Sequence, residues 1–273
     1  MRFGVCVKLQ DRRPEVDPLT GATRHDPRFT GLSDADLAAL EWAVRCADAW
    51  GGTVVAVTAG GPVADGILRI ALGVGTEARR VDLAPDAPSE TVAAALAPAL
   101  AGCDLVWCGD HSLDRGSGSV PAFVAARLGA AQALGLVAVE LHATPGVVTA
   151  TRRLDGGRRE RLRVRAPGVL SVEGATARLR RSSVGDSLAA RRSAIDVQPG
   201  PPVIEQGSRT TRPFRPRARV LPAPVGHTAR ERIVALTDTG LPAAAATTAV
   251  TLEPSKAAAR ILAALAEWGY RDG

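Results

Sequence analysis

The sequence predicts an α/β protein: a doubly wound parallel sheet with a β-hairpin addition and an extended C-terminal arm ending in a helix. Three observations carry this. Short apolar runs of strand length alternate with stretches of helical periodicity from the N-terminus to residue 139. Aromatic residues make up only 3% of a chain that is 46% apolar, so the core must be built from Ala, Val and Leu, which suits helices lying close on a sheet. From residue 146 the pattern changes to strict alternation around Gly156-Gly157, a hairpin signal.

Taken in order, "RFGVCVK" reads as a first strand buried on both faces, followed by a polar loop from Leu9 to Leu32. "SDADLAALEWAVRCADAWGG" reads as a helix, with Ser33 as N-cap, Asp36 three residues on, and Gly51-Gly52 as its stop. "TVVAVTAG" is a strand, Val63–Leu72 a helix and "RRVDLA" a strand. Ser89 is expected to cap a helix to Leu100, and "DLVWCG" is the fourth strand. A helix over Ser117–Leu128 and a fifth strand, "ALGLVAV", complete the alternation, which implies right-handed crossovers. Residues 174–195 are polar and rich in Arg, and Pro199–Pro224 is too rich in Pro and too poor in apolar residues to form a core. "EPSKAAARILAALAEWGY" is an amphipathic helix with Ile261, Leu262, Leu265 and Trp268 on one side. The organisation read from this is a domain over 1–195, and an arm and helix over 196–273 that dock on a partner subunit or fold back.

The formal charge of +6 comes almost wholly from Arg, with lysine only at Lys8 and Lys256. The arginines are scattered and lack interleaved aromatics that would stack on bases, so no nucleic-acid partner is expected. Cys6, Cys46, Cys103 and Cys108 contain no CxxC pair, and the four histidines are far apart, so no metal site is expected. The N-terminal apolar run is too short for a signal peptide, and no run reaches membrane-spanning length. The expectation is a cytoplasmic chain not embedded in a membrane.

The stretch "CGDHSLDRGSGSVP" (108–121) leads from the fourth strand into a helix. In an open α/β sheet, ligands sit at the carboxyl ends of strands where the winding reverses. The free N–H groups of a helix N-terminus suit a phosphate there. Gly116 and Gly118 would let an anion approach the backbone, and Ser117 and Ser119 would add hydroxyl donors. The same residues read equally well as a tight turn with a capping serine. No Walker-type lysine, nucleophile elbow or carboxylate pair accompanies them, so the chain reads as a carrier or binder without catalytic residues of its own.

In order along the chain, "VCVK", "ALEWAVR", "VVAVTAGGP", "LRIALGVGTEARRV", "DLVWCGDHSLDRGSG", "LDGGRRERLRVRAPGVLSV" and "KAAARILAALAEWGY" resemble the beta subunit of electron transfer flavoproteins. The resemblance implies a Rossmann-like fold of the adenine-nucleotide α-hydrolase type. It implies a heterodimer with an alpha subunit that holds most of the redox FAD, and AMP or a second FAD in this chain. It further implies electron flow from a dehydrogenase to a quinone-reducing or other redox acceptor. The matching positions place the nucleotide at Cys6, Ser33, Asp36, Ala59, Gly109, Asp114, Gly116, Ser117, Gly118, Ser119 and Val120. They place a partner-recognition segment near 174–192, at Arg180, Ser183 and Val184, with Val184 where the family has an anchoring leucine. Ser33-Asp34 stands where the family has Asn-Pro, and "ATARLR" where it has "LNEPRY". The alternative is a stand-alone adenine-nucleotide module similar to universal stress proteins, which has no use for the arm and the last helix. An ATP-pyrophosphatase would need SGGxDS where "VKLQDRRPE" stands.

Overall fold

The computed structural model describes residues 1–17, 19–24, 26–85, 87–202, 223–224, 226–236 and 250–268. Most of the Pro-rich stretch 199–224, together with Gly269 and Tyr270 of the closing "WGY", lies outside the described residues. The chain divides into a unit over Met1–Phe214 and a second over Arg215–Gly273.

The first unit is wound on a nine-stranded sheet. Its strands are β1 (Arg2–Cys6), β2 (Thr53–Ala59), β3 (Glu77–Asp82), β4 (Leu105–Gly109), β5 (Ala131–Leu141), β6 (Val147–Arg153), β7 (Arg159–Arg165), β8 (Gly168–Val172) and β9 (Asp196–Pro199). They lie in the order β7-β6-β5-β8-β4-β1-β2-β3-β9. Helices α1 (Asp34–Trp50) and α2 (Asp65–Gly73) cover one face, and α3 (Ser89–Leu100) and α4 (Val120–Leu128) the other. The chain winds outward through β1, β2 and β3, then returns through α3 to place β4 against β1. This is the doubly wound α/β arrangement, with its winding reversed between β1 and β4.

Helix α1 forms where the sequence directs it. The Ser33 hydroxyl accepts from the Asp36 N–H at 3.0 Å, and Gly51 ends the helix at φ +71°. Ala38, Ala39 and Ala43 are fully buried, letting the helix axis sit close to the sheet. The Trp42 ring stacks on Trp107 of β4 at 5.9 Å between centroids, and its indole N–H donates to Thr176 Oγ1 at 3.2 Å.

Several expectations are corrected. Ser89 is the first residue of α3 rather than its cap, and Pro88 holds the cap position without a side-chain bond. Helix α4 starts at Val120 and not at Ser117, because an antiparallel bridge between Ser112 and Ser117 holds the preceding residues in a closed loop. The hairpin around Gly156-Gly157 is present as β6 and β7, but "GVLSV" is not part of it. That segment is β8, parallel to both β4 and β5, and it separates the fifth strand from the fourth. All five of its residues are buried, as a strand covered on both faces requires. The loop from 9 to 32 contains two short antiparallel ladders, Gln10–Asp11 with Thr30–Gly31 and Glu15–Val16 with Thr23–Arg24. The sheet also continues past 195, since β9 pairs in parallel with β3. The expected partner-recognition segment at 174–192 contains a helix, α5 (Val184–Arg192), capped by Ser183, whose hydroxyl accepts from the Asp186 N–H at 3.0 Å.

The second unit contributes α6 (Ala229–Leu236) and α7 (Pro254–Glu267). On α7, Ile261 and Leu262 are 59% and 46% exposed, and Trp268 just beyond it is 69% exposed.

Candidate functional site

A cleft opens at the carboxyl ends of β1 and β4, on the α3 side of the point where the winding reverses. Of the residues expected at a nucleotide site, Cys6, Asp36, Ala59, Gly109, Ser117, Gly118 and Val120 line it. Ser33, Asp114, Gly116 and Ser119 are not part of this lining. Ser33 caps α1 and also borders a second groove on the α1 side. Ser119 shares a hydrogen bond with Ser117, Oγ to Oγ at 3.0 Å.

The loop after β4 is fixed by its own backbone. Gly116 has φ +60° and donates its N–H to the Ser112 carbonyl at 2.7 Å, a left-handed turn that glycine adopts without strain. Gly118 is needed for a different reason from the one its place in the sequence suggests. A Cβ there would not enter a ligand's space but would lie 2.3 Å from the Asp110 carbonyl oxygen. The missing side chain lets the loop fold on itself.

His111, Ser112 and Arg115, within the stretch 109–120 that the resemblance assigns to the nucleotide, also line the cleft, as do Lys8 and Gln10, which the sequence did not single out. Lys8 follows β1 and gives its ammonium to Ser112 Oγ at 2.7 Å and Asp114 Oδ1 at 2.6 Å. Burial works against the Asp114 charge, but hydrogen bonds from Lys8 and Ser112 outweigh it and hold that carboxyl below its usual range. The Arg115 guanidinium donates to the Pro85 and Ala87 carbonyls at 2.7 and 2.8 Å, pinning the chain that enters α3. The signal for Lys8 was available: it is the only lysine before residue 256 and ends a buried strand.

Asp36 is the buried charge of the site, at 5% exposure. It accepts from Gln10 Nε2 at 3.0 Å, and Gln10 Oε1 accepts the Leu113 N–H at 2.8 Å. Gln10 thereby ties the α1 N-terminus to the loop after β4. A Cβ on Gly109 would fall 2.6 Å from Asp36 Oδ1, so that glycine makes room for the carboxylate. Burial pushes the Asp36 carboxyl up to about 6, against the opposing hydrogen bonds from Ser33, the Lys8 backbone and Gln10.

Arg180, expected to meet a partner, is committed within the chain. Its guanidinium bonds Glu41 at 3.1 and 3.2 Å and Asp48 at 2.8 Å on α1. Val184 is 77% exposed and Leu188, one turn on, is 48% exposed.

The folded chain holds the Asp36 proton more tightly than the unfolded chain, whose ordinary value is 3.8. This contribution is fully present below pH 3.8 and is lost as pH rises through about 6. Asp36→Asn keeps an acceptor for Gln10 and removes the titration. Urea melts across pH should show the variant matching wild type near pH 4 and exceeding it by about 2–3 kcal/mol above pH 7. A difference that stays flat with pH contradicts the assignment.

The family model for the electron transfer flavoprotein domain matches residues 28–197. FixA of Rhizobium meliloti (strain 1021) is 31% identical over 210 residues, covering 71% of each chain. FixA of Sinorhizobium fredii (strain NBRC 101917 / NGR234) is 32% identical over 211 residues, covering 71% of this chain and 73% of that protein. The electron transfer flavoprotein subunit beta of Chromohalobacter salexigens is 30% identical over 223 residues, covering 80% of this chain and 78% of that protein. With its doubly wound sheet and a cleft at the winding reversal, the chain belongs to the electron transfer flavoprotein family, as a member of the beta-subunit type.

Proposed function

We propose that this beta-type chain holds an adenine nucleotide, AMP or a second FAD, in the cleft between β1 and β4. We further propose that it works as a heterodimer with an alpha subunit carrying most of the redox FAD. The observation that carries the nucleotide reading is the composition of the cleft. An apolar floor from Cys6, Val92, Leu96 and Val120 suits a base. Lys8, Arg115, Ser112 and Ser117 line the same cleft, and so do Val120 and Pro121 at the N-terminal end of α4, where the helix dipole favours an anion. Bound FAD supplies the electron chemistry. The residues of this chain bind and orient: Lys8 faces the phosphate end, and Gln10 and Asp36 keep the walls at fixed separation.

The alpha partner is supported by α7, whose exposed Ile261, Leu262 and adjoining Trp268 have no role in a stand-alone nucleotide module. The complex would take electrons from a dehydrogenase and deliver them to a quinone-reducing or other redox acceptor. Val184 and Leu188, on the exposed side of α5, are the proposed donor contact.

The nucleotide reading predicts that acid-denatured pure complex releases stoichiometric AMP or FAD, detected by chromatography. Gly118→Ala, which drives a Cβ into the Asp110 carbonyl, should weaken AMP affinity by about tenfold in equilibrium dialysis, since a loss of about 1.4 kcal/mol in binding is a factor of ten. Release of no nucleotide from the wild-type complex contradicts the reading.

The donor contact predicts that Val184→Asp slows reduction by the physiological dehydrogenase by roughly tenfold, the usual loss for a truncated anchor. Dye-mediated reduction should be unchanged. Arg180→Ala should instead lower the unfolding midpoint, because it leaves buried Glu41 with fewer partners. Equal donor rates for Val184→Asp and wild type would move the contact elsewhere.

A further inference from the structure

We propose that Cys6 and Cys108 form an oxidisable dithiol in the cleft, converted by peroxides to a disulfide and restored by small thiols. β1 and β4 run parallel with Val5 beside Trp107, and one step further in the same register brings Cys6 beside Cys108. Both side chains turn to the α3 face, where they share one apolar cluster, and both line the cleft. Their exposures of 9% and 4% admit a small oxidant through the cleft and exclude a bulky one. The other two thiols differ. Cys46 belongs to the cluster on the opposite face, and Cys103 is outside the cleft lining.

The neighbouring Cys6 sulfur, followed by burial, pushes the Cys108 thiol well above its usual range. Cys108 therefore keeps its proton, and Cys6, the more exposed of the two, is the sulfur that a peroxide in the cleft meets first. The Cys6 sulfur attacks one peroxide oxygen, the O–O bond breaks, and a sulfenic acid and one water result. The Cys108 sulfur then attacks the Cys6 sulfur and expels the second water, its proton leaving with the hydroxyl group. Two thiols and one hydrogen peroxide give one disulfide and two waters, and the two electrons pass from sulfur to oxygen.

Neighbouring strands stand about 4.7–4.9 Å apart. A disulfide spans about 4.4–6.8 Å between its Cα atoms, so this spacing admits the bond at the short end of its range. Closure turns the two side chains toward each other on the α3 face and replaces two thiols of the cleft lining by one disulfide. Resting on the nucleotide reading, oxidation then alters the apolar surface that would take the base and weakens nucleotide binding, while bound nucleotide shields the thiols.

The test is peptide mapping of the reduced full-length chain after hydrogen peroxide, acid quench and alkylation, with and without AMP. A Cys6–Cys108 cross-linked peptide is expected, reversed by dithiothreitol and retained in Cys46→Ser and Cys103→Ser. In Cys108→Ser, Cys6 should instead proceed to the sulfinic acid. Saturating AMP should slow cross-linking at least tenfold, and AMP affinity by equilibrium dialysis should fall at least tenfold on oxidation. Oxidation of Cys6 to the sulfinic acid in the wild type without a cross-link, or of Cys103 ahead of the pair, overturns the dithiol. Equal AMP affinity for oxidised and reduced chain overturns the coupling. If the cross-link forms but AMP binds neither form, the dithiol stands and the nucleotide reading falls.

Discussion

The reversal of winding between β1 and β4 is the constraint on which the rest of this molecule depends. Helices on the two faces must diverge there, so no crossover connection covers the carboxyl ends of these strands. The cleft is a product of topology before any side chain is considered. The chain then holds the opening at a set width. Asp36, Gln10 and the Leu113 N–H form one continuous chain of hydrogen bonds from α1 to the loop after β4. Keeping a carboxylate at 5% exposure costs stability at neutral pH, and the cost is borne at the wall of the cleft.

Much of the basic charge has an internal use. Arg80 is buried and bonded to Asp65 at 2.7 Å, and Arg69 donates to the Ala190 and Arg191 carbonyls at the end of α5. Arg115 holds the approach to α3, and Arg180 clamps the segment before α5 to Glu41 on α1. A guanidinium has enough donors to satisfy two or three carbonyls at once, which lysine does with less geometric definition. In an Ala- and Val-rich protein with few aromatics, such forks join loops to helices. A high isoelectric point therefore says little here about an anionic partner. On the edge strand β7, Arg159, Arg161, Arg163 and Arg165 form a row whose like charges discourage pairing with another sheet edge.

The alternation of elements, the Ser33 cap and the hairpin turn were all legible in the sequence, because each rests on local patterning. The position of β8 was not. A short, mostly apolar run after a proline looks the same as an edge or a centre, and only pairing with β4 and β5 decides between them. Seven of the eleven expected nucleotide residues line the cleft, and the other four do not. What sequence reasoning missed were long polar side chains, Lys8 and Gln10, that reach the cleft from a loop with no periodicity to mark them. Gly118 was singled out for a space that is filled by the Asp110 carbonyl. A loop contact of that kind leaves no trace in residue spacing. Arg180 was placed in the recognition segment by resemblance, while its charge is met by acids far away in sequence.

The central claim is that the cleft between β1 and β4 is the ligand site of this chain. Hydrogen–deuterium exchange of the full-length chain, with and without saturating AMP, tests it most directly. The account predicts slowed exchange at the amides of residues 8–10 and 109–120, with α5 and the β6–β7 hairpin unchanged. Exchange unaltered at both cleft segments, or protection confined to α5, would contradict it.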